Sequence, residues 1–494
     1  MFTTRSMTTR WLVVAVLAIG LGAVLAIGLT NPQTPVDPNG KAKLIEDAAE
    51  PDEREAVEKE AGEKRAASDP VLLDQMMIEK GPAPSALSAG FVSERLWISS
   101  TIGYNDWEPA IAVDPNSPYV YQLTTRYNGP APCRNCPAPY IIFRSSSDSG
   151  ATWGSDQFLG YGRKDNNDPQ IEVARNGTIY VAWMNDYTPG VKFAKSSDHG
   201  ATWSTPIAII AKAGKPTWSD KPILAISPDG KDVYIAFNAS DAYVSVSHNY
   251  GITFTKPLKI SNDKRYWFHT GGAVAPNGNV YFAAVDYSQD YTGDSYINVM
   301  KSANGGTSWT TARVDTSKQM SACAWSPGCT LGFFGPSAAL AIDKAGTIMI
   351  AYNAGDVAGQ PQKMWVRTST DGVNWSSRKE ISNGSSTVNN AFPALAAGPT
   401  PKDFRVAWQD DRNGSTNAWN TWYIGTTNSG GSWSAPVRLS DLGSGAPYKT
   451  SNGYAFPYGD YFEMAVDAGG TAHVIWGEGT SYNGPGGSWY TNGR

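Results

Sequence analysis

The feature that most restricts the folds open to this chain is a short turn written repeatedly along it. "SSDSGATW" (146–153) and "SSDHGATW" (196–203) are nearly identical. Weaker copies follow: "SHNYGITF" closing at Phe254, "SANGGTSW" at Trp309, "STDGVNW" at Trp375 and "TTNSGGSW" at Trp433. The closing aromatics stand 50, 51, 55, 66 and 58 residues apart. A period of that size signals an array of like supersecondary units, which overrides the separate domains that 494 residues would otherwise suggest.

A second pattern alternates with the first: an apolar strand, a Gly or Pro turn, then another strand. Its seven copies are "EPAIAVDPNSPYVYQL", "DPQIEVARNGTIYVAW", "KPILAISPDGKDVYIAF", "GGAVAPNGNVYFAAV", "PSAALAIDKAGTIMIAY", "FPALAAGPTPKDFRVAW" and "DYFEMAVDAGGTAHVIW". A further strand, such as "FTKPLKIS", follows each repeated turn. One unit therefore reads strand a, turn, strand b, loop, strand c, repeated turn, strand d, which is the plan of a propeller blade. The first strand of each copy is rich in Ala and Gly, as the crowded position nearest an axis requires. Abundant Gly (50), Trp (18) and Tyr (24) suit strands and turns better than helices.

Seven strand pairs against six turns leave one unit short. The chain ends in "GGSWYTNGR", which supplies a strand c but no d, while "SERLWISS" (93–100) stands as an orphan before the first unit. That orphan is predicted to complete the last blade and remove the free edges. The expected fold is all-β, a seven-bladed propeller of four-stranded antiparallel blades over 91–494, with six blades as the alternative.

Within the turns, Asp148, Asp198, Asn249, Asn304, Asp371 and Asn428 are placed to accept backbone N–H bonds. Gly150, Gly200 and Gly251 are expected at positive φ. His199 and His248 read as solvent-facing variants of a structural turn.

The start of the chain is a separate piece. Arg5 and Arg10 precede an uncharged apolar run, 11–29, long enough to span a bilayer, with 1–10 in the cytoplasm. The same run reads alternatively as a signal peptide. The segment 30–90 is a linker or stalk, and its stretch 41–67 carries nine acids and six bases, −3 of the net −5. The bulk of the chain is thus expected outside the cytoplasm, membrane-anchored at the cell surface or secreted, as a monomer. No basic stripe is present to hold a phosphate backbone, which speaks against a nucleic-acid partner. The four cysteines form two close pairs, Cys133 with Cys136 and Cys323 with Cys329. Two local disulfides suit an exported chain, and a four-cysteine zinc site is the other reading.

The pattern S/T-x-D/N-x-G-x-T/S-W, once per blade, resembles the Asp box (BNR) of the bacterial neuraminidase, or sialidase, repeat family, and the resemblance covers nearly all of 91–494. It implies a sialidase-like propeller directed at an extracellular glycan or glycoprotein, with exo-sialidase-like glycoside hydrolysis as the activity. Similar boxes occur in other glycan hydrolases and in non-enzymatic propellers. Sialidases hold the sugar carboxylate with three arginines, the first in a short F/Y-R-I-P motif that this chain lacks, so no catalytic residue is carried over from the family.

Propeller ligands usually sit over the central channel, on the face built by the d-to-a and b-to-c loops. Candidates before strand a are Asp106, Trp107, Glu108, Asp168, Asp220, His269, Asp460 and Tyr461, with Arg163, Trp218, Arg265, Trp267 and Tyr458 nearby. After strand b come Arg126, Asp186, Asp286, Tyr287, Asp410 and Arg412. Asp168, Asp220 and Asp460, with His269 and Tyr461, are the catalytic candidates: paired carboxylates perform acid/base glycoside hydrolysis, and a His with a Tyr would suit a polysaccharide lyase. Glu108, Arg126, Arg163, Arg265 and Arg412, with Trp107, Trp218 and Trp267, are the substrate-binding candidates. Against these stand plainer roles. The repeated acids before strand a would also serve to bond the next blade or hold a structural Ca2+, and His473, inside a strand b, reads as core. Three functions stay open: a glycan hydrolase, a non-catalytic cell-surface propeller binding glycan or protein, and a lyase. No cofactor is called for.

Overall fold

The computed structural model describes residues 91, 95–97, 106–127, 129–185, 190–209, 220–239, 241–288, 293–319, 335–413, 418–440, 443, 445–447, 462–479 and 486–494. The apolar run 11–29, the linker 30–90, Cys323, Cys329, Asp186, Trp218, Tyr458, Asp460 and Tyr461 lie outside the described residues.

Blade 1 has strands a to d at Asp106–Val113, Val120–Arg126, Tyr140–Ser146 and Gln157–Gly160, hydrogen-bonded in that order. Six further antiparallel sheets repeat the plan. Their a strands are Asn166–Val173, Asp220–Ile226, Tyr266–Val274, Ala338–Ile342, Asn390–Ala397 and Glu463–Val466. Each a strand touches the a strands of both neighbouring blades, and the last returns to the first, so the a strands line one axis. This is a seven-bladed β-propeller.

The ring closes as the orphan strand required. In blade 7 the outermost strand is Arg95–Trp97, antiparallel to Gly486–Gly493, with Arg95 opposite Tyr490 and Trp97 opposite Ser488. The two ends of the propeller thereby share one sheet, and opening the ring means breaking its hydrogen bonds.

Both faces of a blade meet another blade, so the central strands are buried throughout rather than alternating. Val120–Arg126 is buried at every position. Seven separate hydrophobic cores result, one per seam.

The repeated turns fasten these seams on one face. In the first, Ser146 Oγ donates to Asp148 Oδ1 (2.7 Å) and accepts from the Gly150 N–H (2.8 Å). Asp148 also accepts from the Thr152 N–H and hydroxyl (2.8 and 2.6 Å). Asp198, Asn249, Asn304, Asp371 and Asn428 sit in equivalent networks. The bonds from Thr152, then from Ser146, hold the Asp148 carboxyl down at about 2. The closing aromatic reaches into the preceding blade: Trp153 against Tyr490 (5.1 Å between ring centres), Trp203 against Phe143 (5.0 Å) and Phe254 against Phe193 (4.9 Å). Gly200, at φ +86°, lies so close under Phe143 that a Cβ would collide with the ring. One disulfide, Cys133–Cys136, closes the b-to-c loop of blade 1.

Candidate functional site

Turns of that kind occupy the c-to-d end of the blades; the site candidates gather at the other end. Five residues before the end of each strand a stand Glu108, Asp168, Lys221, His269, Ser337, Phe392 and Tyr461, in blades 1 to 7. Glu108, Asp168, Lys221 and Phe392 each precede a proline and each takes a left-handed backbone, φ +55°, +49°, +45° and +53°. The ladder between strands a and b slips at the same place in all four blades. A left-handed L-residue costs roughly 1–2 kcal/mol, and strain repeated at one site is characteristic of places that must aim a side chain.

The first three of these positions converge. Glu108 is 7% exposed, and Asp168 and Asp220 are each 6% exposed. The Asp168 carboxyl lies beside both Glu108 and Asp220, and Lys221 lies close enough to oppose their charge. Thr125 Oγ1 donates to Glu108 Oε2 (3.0 Å), and Asp220 Oδ1 accepts the Lys221 backbone N–H (2.8 Å). Burial, then the neighbouring Glu108, push the Asp168 carboxyl up to about 8, with Lys221 and Asp220 pulling the other way. Carboxyls packed this closely share a proton because they cannot all ionise.

Deeper along the axis lies a second polar layer. The Glu463 carboxyl of blade 7 is steadied by Gln170 of blade 2, a pairing that skips blade 1 and so crosses the axis. Glu463 Oε2 also accepts the backbone N–H of Ile111 (3.0 Å). Glu463 and Glu172 are part-buried, and the protein around them strips water from both carboxyls. That desolvation raises Glu463 to about 8, with some help from Glu172, and Glu172 to about 7. At the Glu172 position the other six blades carry Ala112, Ala225, Ala273, Ala341, Ala396 and Ala465. The acid is therefore no part of the blade repeat.

The arginines do not assemble. Arg126 in blade 1 is fully buried and paired with Asp106 (2.7 Å) and Asp156. Burial raises the Asp106 carboxyl, and Arg126 opposes that rise. Arg265 in blade 4 is paired with Asp286 and lies over the Tyr296 ring. Arg412 in blade 6 is paired with Asp410 (2.6 Å) and lies over Trp422. Each guanidinium is engaged within its own blade, and Arg163 is exposed on the d-to-a loop of blade 1. The aromatics are also turned inward: Trp107 packs on Tyr127 in a seam core, and Trp267 donates its N–H to Asp263 (2.8 Å). Tyr287 donates to the Pro336 carbonyl (3.0 Å).

The four histidines differ sharply. His199 stacks on Tyr119, His248 pairs with Asp232 (2.7 Å) at the surface, and His473 is buried against the Tyr490 hydroxyl (2.7 Å). His269 is wholly buried, neither ring nitrogen has a hydrogen-bond partner, and burial drives it down to about 3, so the ring is neutral. Among the described residues, no three or more His, Cys, Asp or Glu side chains are placed to hold a metal ion.

The sequence named Glu108, Asp168, Asp220 and His269 individually but gave no reason to group the first three. It missed Lys221, Thr125, Gln170, Glu172 and Glu463. Two signals were present: the X-Pro pair at one position of four a strands, and one glutamate in a column of alanines.

No protein-family model matches the chain. No curated protein matches it either. Among solved structures it is similar to the Hadza microbial sialidase Hz136 (12% identity, 72% of this chain and 73% of that one, TM-score 0.44). It is also similar to an ulvan lyase of a polysaccharide lyase family, PL25 (12%, 78% and 93%, 0.48), and to Trypanosoma rangeli sialidase in complex with the inhibitor DANA (13%, 69% and 56%, 0.43). None of these reaches a TM-score of 0.5. The assignment of a propeller stands on the seven blades themselves.

Proposed function

We propose that the chain is a glycan-directed propeller that hydrolyses a glycosidic bond at the mouth over blades 1 to 3, with Asp168 as the general acid. The observation that carries this reading is the buried Asp168 carboxyl, aimed by a left-handed backbone into the same cluster as Glu108 and Asp220, where burial and Glu108 push it up to about 8. A buried carboxylic acid of that kind donates its proton to the leaving-group oxygen, and ionised neighbours stabilise the oxocarbenium-like transition state. Glu108 and Asp220 are those neighbours: one of them accepts a proton from the water that adds to the anomeric carbon, and that proton passes on to Asp168 to restore the acid.

Charge indicates the substrate class. Three carboxyls face one ammonium at the mouth, and Arg126, Arg265 and Arg412 are each held by a carboxylate of their own blade. A neutral glycan suits this field better than a sialoside or a uronate. The same charge speaks against the lyase reading, which requires cations to neutralise the sugar acid.

The setting follows from the start of the chain: an exported monomer held at the cell surface by 11–29 or released from it, with extracellular glycan or glycoprotein as its partner. A structural Ca2+ at the mouth remains a proposal that a calcium titration of thermal stability would test.

The test of function is turnover of neutral oligosaccharides and of a fluorogenic sialoside by the full chain and by Asp168→Asn. Hydrolysis of a neutral glycan, lost in the variant, supports the reading. Glycan binding without hydrolysis by the unmodified chain would make it a binding propeller instead.

A further inference from the structure

A second group of polar side chains adjoins the carboxyl cluster, and nothing in the proposed chemistry uses it. Asn238 is the next-to-last residue of strand b of blade 3, Val233–Ala239, directly opposite Asp220 in the ladder. It lies on the same face of that strand as Tyr234 and Ala236, which belong to the core between blades 3 and 4. His269 of blade 4 meets this core from the other side: it is paired in register with Ala284, and its ring touches Phe282 (5.6 Å). Asn238 and His269 are both 0% exposed. The side-chain oxygen and nitrogen of Asn238, both nitrogens of His269 and the hydroxyl of the adjacent Thr270 have no hydrogen-bond partner.

Leaving a buried donor or acceptor unanswered costs about 1–3 kcal/mol per group, and native cores do so rarely. Here four such atoms, those of Asn238 and His269, face the mouth end of one seam, beside Asp220. His269 also occupies in blade 4 the position that Glu108, Asp168 and Lys221 hold in blades 1 to 3.

The geometry points to a binding subsite at the blade 3–4 seam, in which Asn238 and His269 receive adjacent hydroxyl groups of a neutral sugar ring next to the one held at Asp168. The neighbouring ring at Asp168 is the one the glycan reading above places there, and the subsite rests on that reading. The chemistry of the atoms selects the ligand. A neutral imidazole offers one donor and one acceptor, and a carboxamide offers both kinds. A vicinal diol needs that mixture. An anion needs donors only and would meet Asp220. A metal ion needs acceptors only, and among the described residues no three His, Cys, Asp or Glu side chains are placed to hold one.

The experiment is imidazole ¹⁵N NMR of the full chain, which has four histidines to resolve. His269→Asn assigns the resonance. Neutral hexasaccharides of β-1,4-linked glucose, xylose and N-acetylglucosamine are the probes, run alongside steady-state kinetics on the same sugars. The proposal expects the His269 nitrogens to shift on saturation with one probe. It also expects Asn238→Ala to raise KM for that hexasaccharide about tenfold, corresponding to the loss of one hydrogen bond, a larger factor than its change in kcat. Turnover with an unmoved His269 signal and an unchanged KM overturns the subsite and leaves hydrolysis standing. A shifted signal without turnover keeps the subsite and removes the hydrolase. Neither shift nor turnover with any probe removes both.

Discussion

Asp168 and Glu108 stand at the same position of adjacent blades, each on a left-handed backbone before a proline, with their carboxyls close enough for Glu108 to raise Asp168. Neither residue is unusual within its own blade; the pair exists only because the ring sets blade 1 beside blade 2. Asp168→Asn should lower kcat by at least about 10²-fold, the usual contribution of a positioned acid. Activity of the unmodified chain should fall as pH rises through about 8, where Asp168 loses its proton. Glu108→Gln should shift that limb of the pH–rate profile to lower pH, because Glu108 raises the Asp168 carboxyl. A profile with no limb near 8, or one unmoved in the Gln variant, would remove Asp168 as the acid.

The same carboxyl makes a stability statement of definite sign. Its folded value is raised from 3.8 to about 8, so the folded state holds a proton that the unfolded state releases. This contribution is fully present below pH 3.8 and is lost as pH rises through about 8. Thermal melts of the unmodified chain should therefore lose more Tm between pH 5 and pH 9 than melts of Asp168→Asn. Equal slopes would mean that the carboxyl is not desolvated.

Arg126 was a candidate ligand for an acidic sugar by its place after strand b, yet it is bound in a buried pair with Asp106, 2% and 0% exposed. Removing one partner of such a pair leaves the other charge uncompensated. Arg126→Ala should cost about 3–5 kcal/mol of stability, read as a lower midpoint in urea. Activity per folded molecule should change little. A variant that folds normally but binds glycan tenfold more weakly would return Arg126 to the ligand.

How much of this could be read beforehand follows from where the information lies. The seven a–b pairs, the six turns and the orphan strand at 95–97 each leave a local signature, so blade count, strand order and closure were legible. The turn network at Asp148 is equally local, spanning residues 146 to 152. The site is not. Asp168 with Glu108, and Gln170 with Glu463, are separated by 60 and 293 residues and meet only through the ring. Trp107 and Trp267 point inward because a seam consumes large side chains at the mouth end, which no single-blade pattern reveals. Glu172 was legible in principle, once the a strands were set in register and six alanines stood against it.

The closing strand gives the last expectation. Arg95–Trp97 contributes a short ladder, three register pairs with Gly486–Gly493, but it joins the two ends of a ring. Without it, Gly486–Gly493 becomes an unpaired outer edge, and the seam between blades 6 and 7 also loses Phe91, which packs against Tyr423 (4.7 Å between ring centres). An exposed edge of this kind recruits strands from other chains. A chain shortened to begin at residue 98 should show a lower Tm, and its loss should grow with protein concentration as edge-to-edge association sets in. Adding the peptide of residues 91–97 should restore part of the Tm, because the ladder partner then arrives from outside. A shortened chain with unchanged Tm and no dependence on concentration would mean that the seam cores hold the ring without the shared blade.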